Sequence, residues 1–148
     1  VVPIHLKVEI NCKEHFNVLP MQEIPFTVSN KWYQGECNVL TYQLDELVGT
    51  KLRALYQRRK GRDLYDLYKA LTTQELNIDN VLKCYHQYMD FVVDHIPTYK
   101  EFIINMEDKM QDEEFLGDTQ QLLRPDENFN PHDGYEVVRS VLIDRLQK

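Results

Sequence analysis

Between positions 51 and 62 the chain carries six cations, Lys51, Arg53, Arg58, Arg59, Lys60 and Arg62, and no acid. Two aspartates, Asp63 and Asp66, follow at once. Clustered ammonium and guanidinium groups beside carboxylates suit phosphate chemistry: the cations supply charge-assisted donors and the acids orient them. In a helix turning about 100° per residue, with Leu44 at zero, Leu47, Val48 and Leu55 fall within about 60° of it, and so do Lys51 and Arg58. Both cations thus lie inside an apolar arc, whereas Arg53 and Lys60 fall opposite, toward solvent. A buried charge without a partner is costly, so Lys51 and Arg58 require partners or a wet cleft. Asp63, Asp66 and Glu9 are the candidate partners. In one reading these pairs only tie helices together; in the other the cations face an active-site cleft and meet phosphates.

Asp63 and Asp66, at i and i+3, share one side of their helix. They are either acids suited to a helix N-terminus or groups that orient Lys51 or help hold a metal. Glu9 shares the polar face of an opening strand with Lys7. It is either an ordinary exposed strand residue or a carboxylate of a two-metal phosphoryl-transfer site. Trp32 and Tyr33 sit in a turn, where they could stack on a base or pack on a sheet. Met89, Met106 and Met110 read as core filler.

The elements that must position these groups follow from periodicity. Ile4, Leu6, Val8 and Ile10 alternate with His5, Lys7 and Glu9, the period-two mark of a half-buried strand. Phe26–Val28 and Asn38–Leu40 predict two more short strands around a turn bracketed by Asn30 and Gly35. From Gln43 the period becomes helical, predicting an amphipathic helix to about Lys60, with Gly61 as its stop. A second helix carries Leu64, Leu67, Tyr68 and Leu71. A long stripe from Ile78 to Ile96 ends at Pro97. Phe102, Ile103, Met106 and Met110 form the next helix, and Phe115, Leu116, Leu122 and Leu123 a short element before Pro125. Val137, Val138, Val141, Leu142 and Leu146 form the last helix, with Asp133 as a cap. Strands first and helices after predict an α+β, mostly helical fold: a sheet over 1–41 and a helical bundle over 42–148.

Composition narrows the class. The 148 residues are 43% hydrophobic and 28% charged, enough for one domain with a core. No apolar run reaches the roughly 18 residues of a membrane span. Cys12, Cys37 and Cys84 lack disulfide or zinc spacing, which favours a reducing, cytoplasmic setting. The net charge of −7 argues against non-specific nucleic-acid binding by the whole chain. That charge is uneven: after Arg62, 18 acids stand against 8 bases.

The words DELVGTKLRAL and YQRRKGRDLYDLY, within the stretch Leu40 to Leu71, resemble the most characteristic block of the AbiEii/AbiGii toxin family. The flanks agree: IHLKVEIN is similar to the strand before that block and PFTVSNKWYQGECNV to the connecting segment. DNVLKCYHQYM and FIINMEDKM are similar to the carboxy-terminal half. The resemblance covers essentially the whole chain. It implies a nucleotidyltransferase-fold sheet followed by helices, in toxins of bacterial toxin–antitoxin pairs linked to phage defence. Such toxins transfer a nucleotide from a nucleoside triphosphate, some of them to the acceptor end of tRNA.

On this resemblance Lys51 is the lysine that contacts the triphosphate, with Asp63 or Asp66 its partner acid. Glu9 is the strand acid near the catalytic pair and the candidate metal ligand. Arg58 and Arg62 are supporting phosphate-side bases, with Lys7 beside Glu9. The family's glycine turn and metal-binding DxD do not occur in these residues. The expectation is therefore a carboxy-terminal part of the enzyme, inactive without the segment bearing that pair, and using magnesium only in the complete protein. The expected partners are the triphosphate, tRNA and a cognate antitoxin. An open sheet edge at Ile4–Ile10 could also pair with a second copy. The alternative is a non-catalytic helical module that engages an antitoxin or another protein.

Overall fold

The computed structural model describes His5, Lys7, Val8, Ile10 and residues 14–147. It opens with an antiparallel hairpin, β1 Gln22–Ser29 and β2 Gln34–Thr41, in a register that sets Ile24 opposite Val39 and Phe26 opposite Cys37. Helices follow: α1 Leu44–Gln57, α2 Gly61–Thr73, α3 Ile78–Val92, α4 Tyr99–Lys109, α5 Glu113–Gly117 and α6 Pro131–Val141, then a 3₁₀ turn Ile143–Gln147. The fold is α+β and mostly helical, as the change of period predicts. Among the described residues no helix is long and apolar enough to cross a membrane. Of the expected opening strand Ile4–Ile10, only Ile4, Leu6 and Glu9 lie outside the described residues, and the rest form no strand and so no sheet edge. His5, Lys7, Val8 and Ile10 belong to no regular element, and all four are exposed.

The two short strands expected around the Trp32 turn are the two arms of the hairpin, each longer than predicted. Asn30 closes the turn by accepting the backbone amides of Trp32 and Tyr33 at 2.9 and 3.0 Å. Trp32 and Tyr33 are 82% and 63% exposed, and the Tyr33 ring lies over Gly35 of β2.

The core is helical. Leu52, Leu55, Leu64, Leu67, Val81, Tyr85, Met89, Phe102, Met106 and Val138 are fully buried in one cluster. Capping defines the starts of several helices. Asn77 accepts the amides of Asp79 and Asn80 at the start of α3, and Thr98 with Glu101 forms a capping box on α4. Asn130, not the expected Asp133, caps α6, because Pro131 occupies the first helical position and leaves Asn130 to accept from His132. The third helix ends at Val92 rather than at Ile96. Pro97 disfavours helical backbone at Ile96, and Val93 and Ile96 pack on the core from the loop instead.

Three corrections concern α1. Its buried face is Val48, Gly49, Leu52 and Leu55 together with Glu46, while Leu44 and Leu47 are 37% and 41% exposed. The inward direction is thus centred about 70–90° away from Leu44. Lys51 lies at the border of that face, not within it. Arg53 is not solvent-facing but only 15% exposed, because the segment bearing Glu14 covers that side of the helix.

The helix also stops at Gln57, with Arg58 extended at φ −127°, ψ 161°. In a longer helix the Leu55 and Tyr56 carbonyls would accept from the amides of Arg59 and Lys60. Both carbonyls instead accept from the Lys109 ammonium. Gly61 is not a stop but the first residue of α2. A Cβ there would run into the Phe115 carbonyl oxygen. Gly49 serves a similar purpose where α1 meets α3, since a Cβ would sit 2.7 Å from the Val81 carbonyl oxygen.

Gly61→Ala is therefore expected to destabilise the fold by about 1–3 kcal/mol in urea unfolding. Gly117→Ala, whose added Cβ meets nothing within 4 Å, should change stability by less than about 0.5 kcal/mol. Equal effects from the two would contradict the close approach of α2 to α5.

Candidate functional site

The site is built where α1 turns into α2. Asp63, in the first turn of α2, has no solvent exposure. Its carboxylate accepts from Arg58 Nε at 2.6 Å and Arg58 Nη2 at 2.7 Å, a two-pronged grip, and from Lys51 Nζ at 3.1 Å. Lys51 Nζ also lies 2.6 Å from Asp66, one helical turn beyond Asp63. Arg58 reaches Asp63 only because the chain leaves the helix at Arg58 and doubles back. The i, i+3 spacing of the two aspartates places both on the side that faces Lys51.

Burial alone would push the Asp63 carboxyl up, but the hydrogen bonds from Arg58 and Lys51 outweigh it and hold the group below its ordinary 3.8. Burial likewise works against the Lys51 ammonium. Its bonds to Asp66 and Asp63 override that and keep its pKa above the usual 10.5. Arg58 is strengthened as a cation chiefly by its hydrogen bond to Asp63. The three groups Lys51, Arg58 and Asp63 form a charged unit with a net single positive charge.

Beside this unit lies a cavity of about 300 Å³, lined by Thr50, Lys51, Arg53, Arg58, Glu14, Tyr42, Glu46 and Tyr88. Its far wall is the segment that follows the opening residues. Glu46, fully buried, accepts the Val18 amide at 2.8 Å, the Leu19 amide at 2.9 Å and the Tyr88 hydroxyl at 2.7 Å. Glu14 in turn pairs with Arg53. The carboxylate of Glu46 thus fastens the connecting segment to α1 and α3.

The structure brings four of the sequence-predicted residues together: Lys51, Arg58, Asp63 and Asp66. Arg62 is not among them. Its backbone amide donates to Asp118 at 3.0 Å, and its side chain lines a separate groove with Tyr65 and Asp66. Lys7 is exposed. Glu9, the candidate metal ligand, lies outside the described residues.

Sequence reading missed Glu46, Arg53, Glu14 and Lys109. For Glu46 one signal existed, since Gly49 three residues on marks a packed side of the helix. Magnesium does not fit the acid pair. Both Asp63 oxygens are already taken by cationic donors, and no three His, Cys, Asp or Glu of the described residues gather to hold a metal ion.

The arrangement leaves donors to spare. A lysine ammonium has three N–H groups and a guanidinium five. Asp63 and Asp66 engage two of the former, and Asp63 engages the Nε and Nη2 atoms of Arg58. What remains can bind anionic oxygen at the mouth of the cavity. Asp66 is 44% exposed on its side chain, so an anion can take its place on Lys51 at small cost.

Stability should divide accordingly. Asp63→Asn strands two cations around a buried amide and should cost about 2–4 kcal/mol at neutral pH. Lys51→Ala removes a partly exposed partner while Arg58 still holds Asp63, so about 1 kcal/mol or less is expected. Because the folded Asp63 titrates below its unfolded value, its contribution is present above about pH 4 and vanishes as the pH falls through the lowered value. Urea midpoints of wild type and Asp63→Asn should thus converge in strong acid. A gap that stays constant would contradict the assigned charge state.

The description "Nucleotidyl transferase AbiEii toxin, Type IV TA system" belongs to the family model that matches residues 1–140. No curated relative and no solved structure matches the chain. With nearly all of its length under that one match, the chain belongs to the AbiEii nucleotidyl transferase toxin family of type IV toxin–antitoxin systems.

Proposed function

We propose that Lys51 and Arg58 grip the phosphates of a nucleoside triphosphate during nucleotidyl transfer, with Asp63 as the buried anchor that aims them. The observation that carries this reading is the division of donors. Asp63 holds both cations, and both line a solvent-accessible cavity with N–H groups to spare. A lysine and an arginine needed only to tie α1 to α2 would not require a cleft of about 300 Å³ beside them.

In the reaction, an acceptor oxygen forms a bond to the α-phosphorus. The bond from that phosphorus to the bridging oxygen breaks, and pyrophosphate leaves with the electron pair. Negative charge therefore grows on the leaving phosphates. Fixed cationic donors placed there grip the triphosphate in the ground state and go on to neutralise that growing charge in the transition state. Asp63 keeps the ammonium and guanidinium charged and oriented, so no reorganisation is needed as that charge develops. Asp66 holds Lys51 in the free protein and yields it to phosphate on binding.

Membership of a toxin family supports a cognate antitoxin as partner, the resemblance supports a tRNA end as acceptor and phage defence as setting, and the cysteine usage supports the cytoplasm as compartment. The magnesium it implies is assigned to no described residue. If the DxD pair is supplied by further sequence in the complete protein, the unit described here is its triphosphate-side half.

The test is transfer of labelled nucleotide by the complete gene product, with each of the four triphosphates in turn. Lys51→Ala should reduce kcat/KM by roughly a hundredfold or more while its unfolding midpoint stays close to wild type. Lys51→Ala with full transfer and full toxicity would assign the ion pairs to structure alone. That result would favour the non-catalytic interaction module, whose toxicity would instead respond to changes on the acidic helices.

A further inference from the structure

Resting on the phosphate-gripping role of Arg58 proposed above, we infer that Lys109 is a positioning residue: its ammonium ends α1 and so aims Arg58 at Asp63. Lys109 is the last residue of α4 and is only 3% exposed. Burying an ammonium is costly unless its hydrogens are used. Lys109 Nζ donates to the carbonyl oxygens of Leu55 and, at 2.9 Å, Tyr56.

Those two acceptors are the ones that the amides of Arg59 and Lys60 would take if α1 continued. The local sequence Gln57-Arg58-Arg59-Lys60 has no proline or glycine and favours helix. Nothing within it accounts for a stop after Gln57. Arg58 N still completes its bond to Ala54 O at 3.0 Å, and there the ladder ends. Among the described residues the Arg59 and Lys60 amides have no acceptor. A side chain more than 45 residues away in sequence has replaced them.

The consequence reaches the site. A continued helix would carry Arg58 along the α1 surface and away from the start of α2. The stop makes Arg58 extended, which folds its guanidinium back onto Asp63. Arg59, released from the helix, is pinned on α4 and the residues after it: Nη1 lies 2.8 Å from Asp112, and Nη2 bonds Asp108. Burial, reinforced by the nearby Arg59 and opposed by Asp63 and Asp108, lowers the Lys109 pKa to about 8.

The experiment compares Lys109→Met and Lys109→Arg with wild type in the complete protein, by residue-resolved amide exchange and by transfer kinetics. Methionine keeps the volume and removes the donors. The freed carbonyls should recruit the Arg59 and Lys60 amides, slowing their exchange by about tenfold or more. KM for the triphosphate should rise by roughly tenfold with a smaller change in kcat, as expected for a lost ground-state phosphate contact. Arginine, which can donate to both carbonyls, should restore fast exchange and KM.

If the Met variant does not fold, Lys109→Gln, with one donor group in place of an ammonium, is read the same way. Unchanged exchange at both amides in a folded Met or Gln variant would overturn the inference. Slowed exchange with an unaltered KM would leave the helix stop standing and overturn instead the role given to Arg58.

Discussion

A carboxylate with no access to water governs the architecture between α1 and α2. Asp63 is an anion in the interior, and an interior anion must be met by cations at short range. Arg58 and Lys51 meet it from two directions. Arg58 can do so only if α1 ends early, and Lys51 only if α1 presents it at the border of its buried face. The α1–α2 turn, the approach of α2 to the Phe115 carbonyl across Gly61 and the reach of Lys109 into the end of α1 surround that one group. Such a unit is expensive to assemble but rigid once assembled, which is the property a phosphate grip needs.

The charge pattern has the same logic. A chain of net charge −7 repels nucleotides at long range, yet it concentrates its cations along one short stretch. Three of these pair with acids elsewhere in the fold: Arg59 with Asp108 and Asp112, Arg53 with Glu14, and Lys60 with Glu114. Lys51 and Arg58 differ in sharing a single buried acid and keeping donors in reserve at a cavity wall. This difference, rather than the abundance of positive charge, separates them from their neighbours.

How much was legible in the sequence depended on distance along the chain. The Lys51–Asp63 and Arg58–Asp63 contacts span 12 and 5 residues, close enough for helical spacing to bring them out. The hairpin and the switch to helices were equally plain from local period. Misreadings arose where a distant segment decided the outcome. The direction of the α1 face was set by Glu46 meeting Val18 and by Gly49 meeting α3, neither of which an apolar count registers. Helical period alone turns Arg53 to solvent, whereas Glu14, 39 residues earlier, covers it. Helix length failed for the same reason, since the donors that end α1 come from a side chain 54 residues beyond Leu55. Membership of the nucleotidyl transferase toxin family, by contrast, was carried by a contiguous block of sequence and needed no tertiary information.

The central claim is that Asp63 holds Lys51 and Arg58 so that they close on phosphate. A structure of the complete protein with a non-hydrolysable nucleoside triphosphate tests it most directly. The account predicts a phosphate oxygen within about 2.7–3.2 Å of Lys51 Nζ, in the position Asp66 vacates, with the Arg58 grip on Asp63 intact. A triphosphate seated elsewhere, with Lys51 still bound to Asp66, would contradict it.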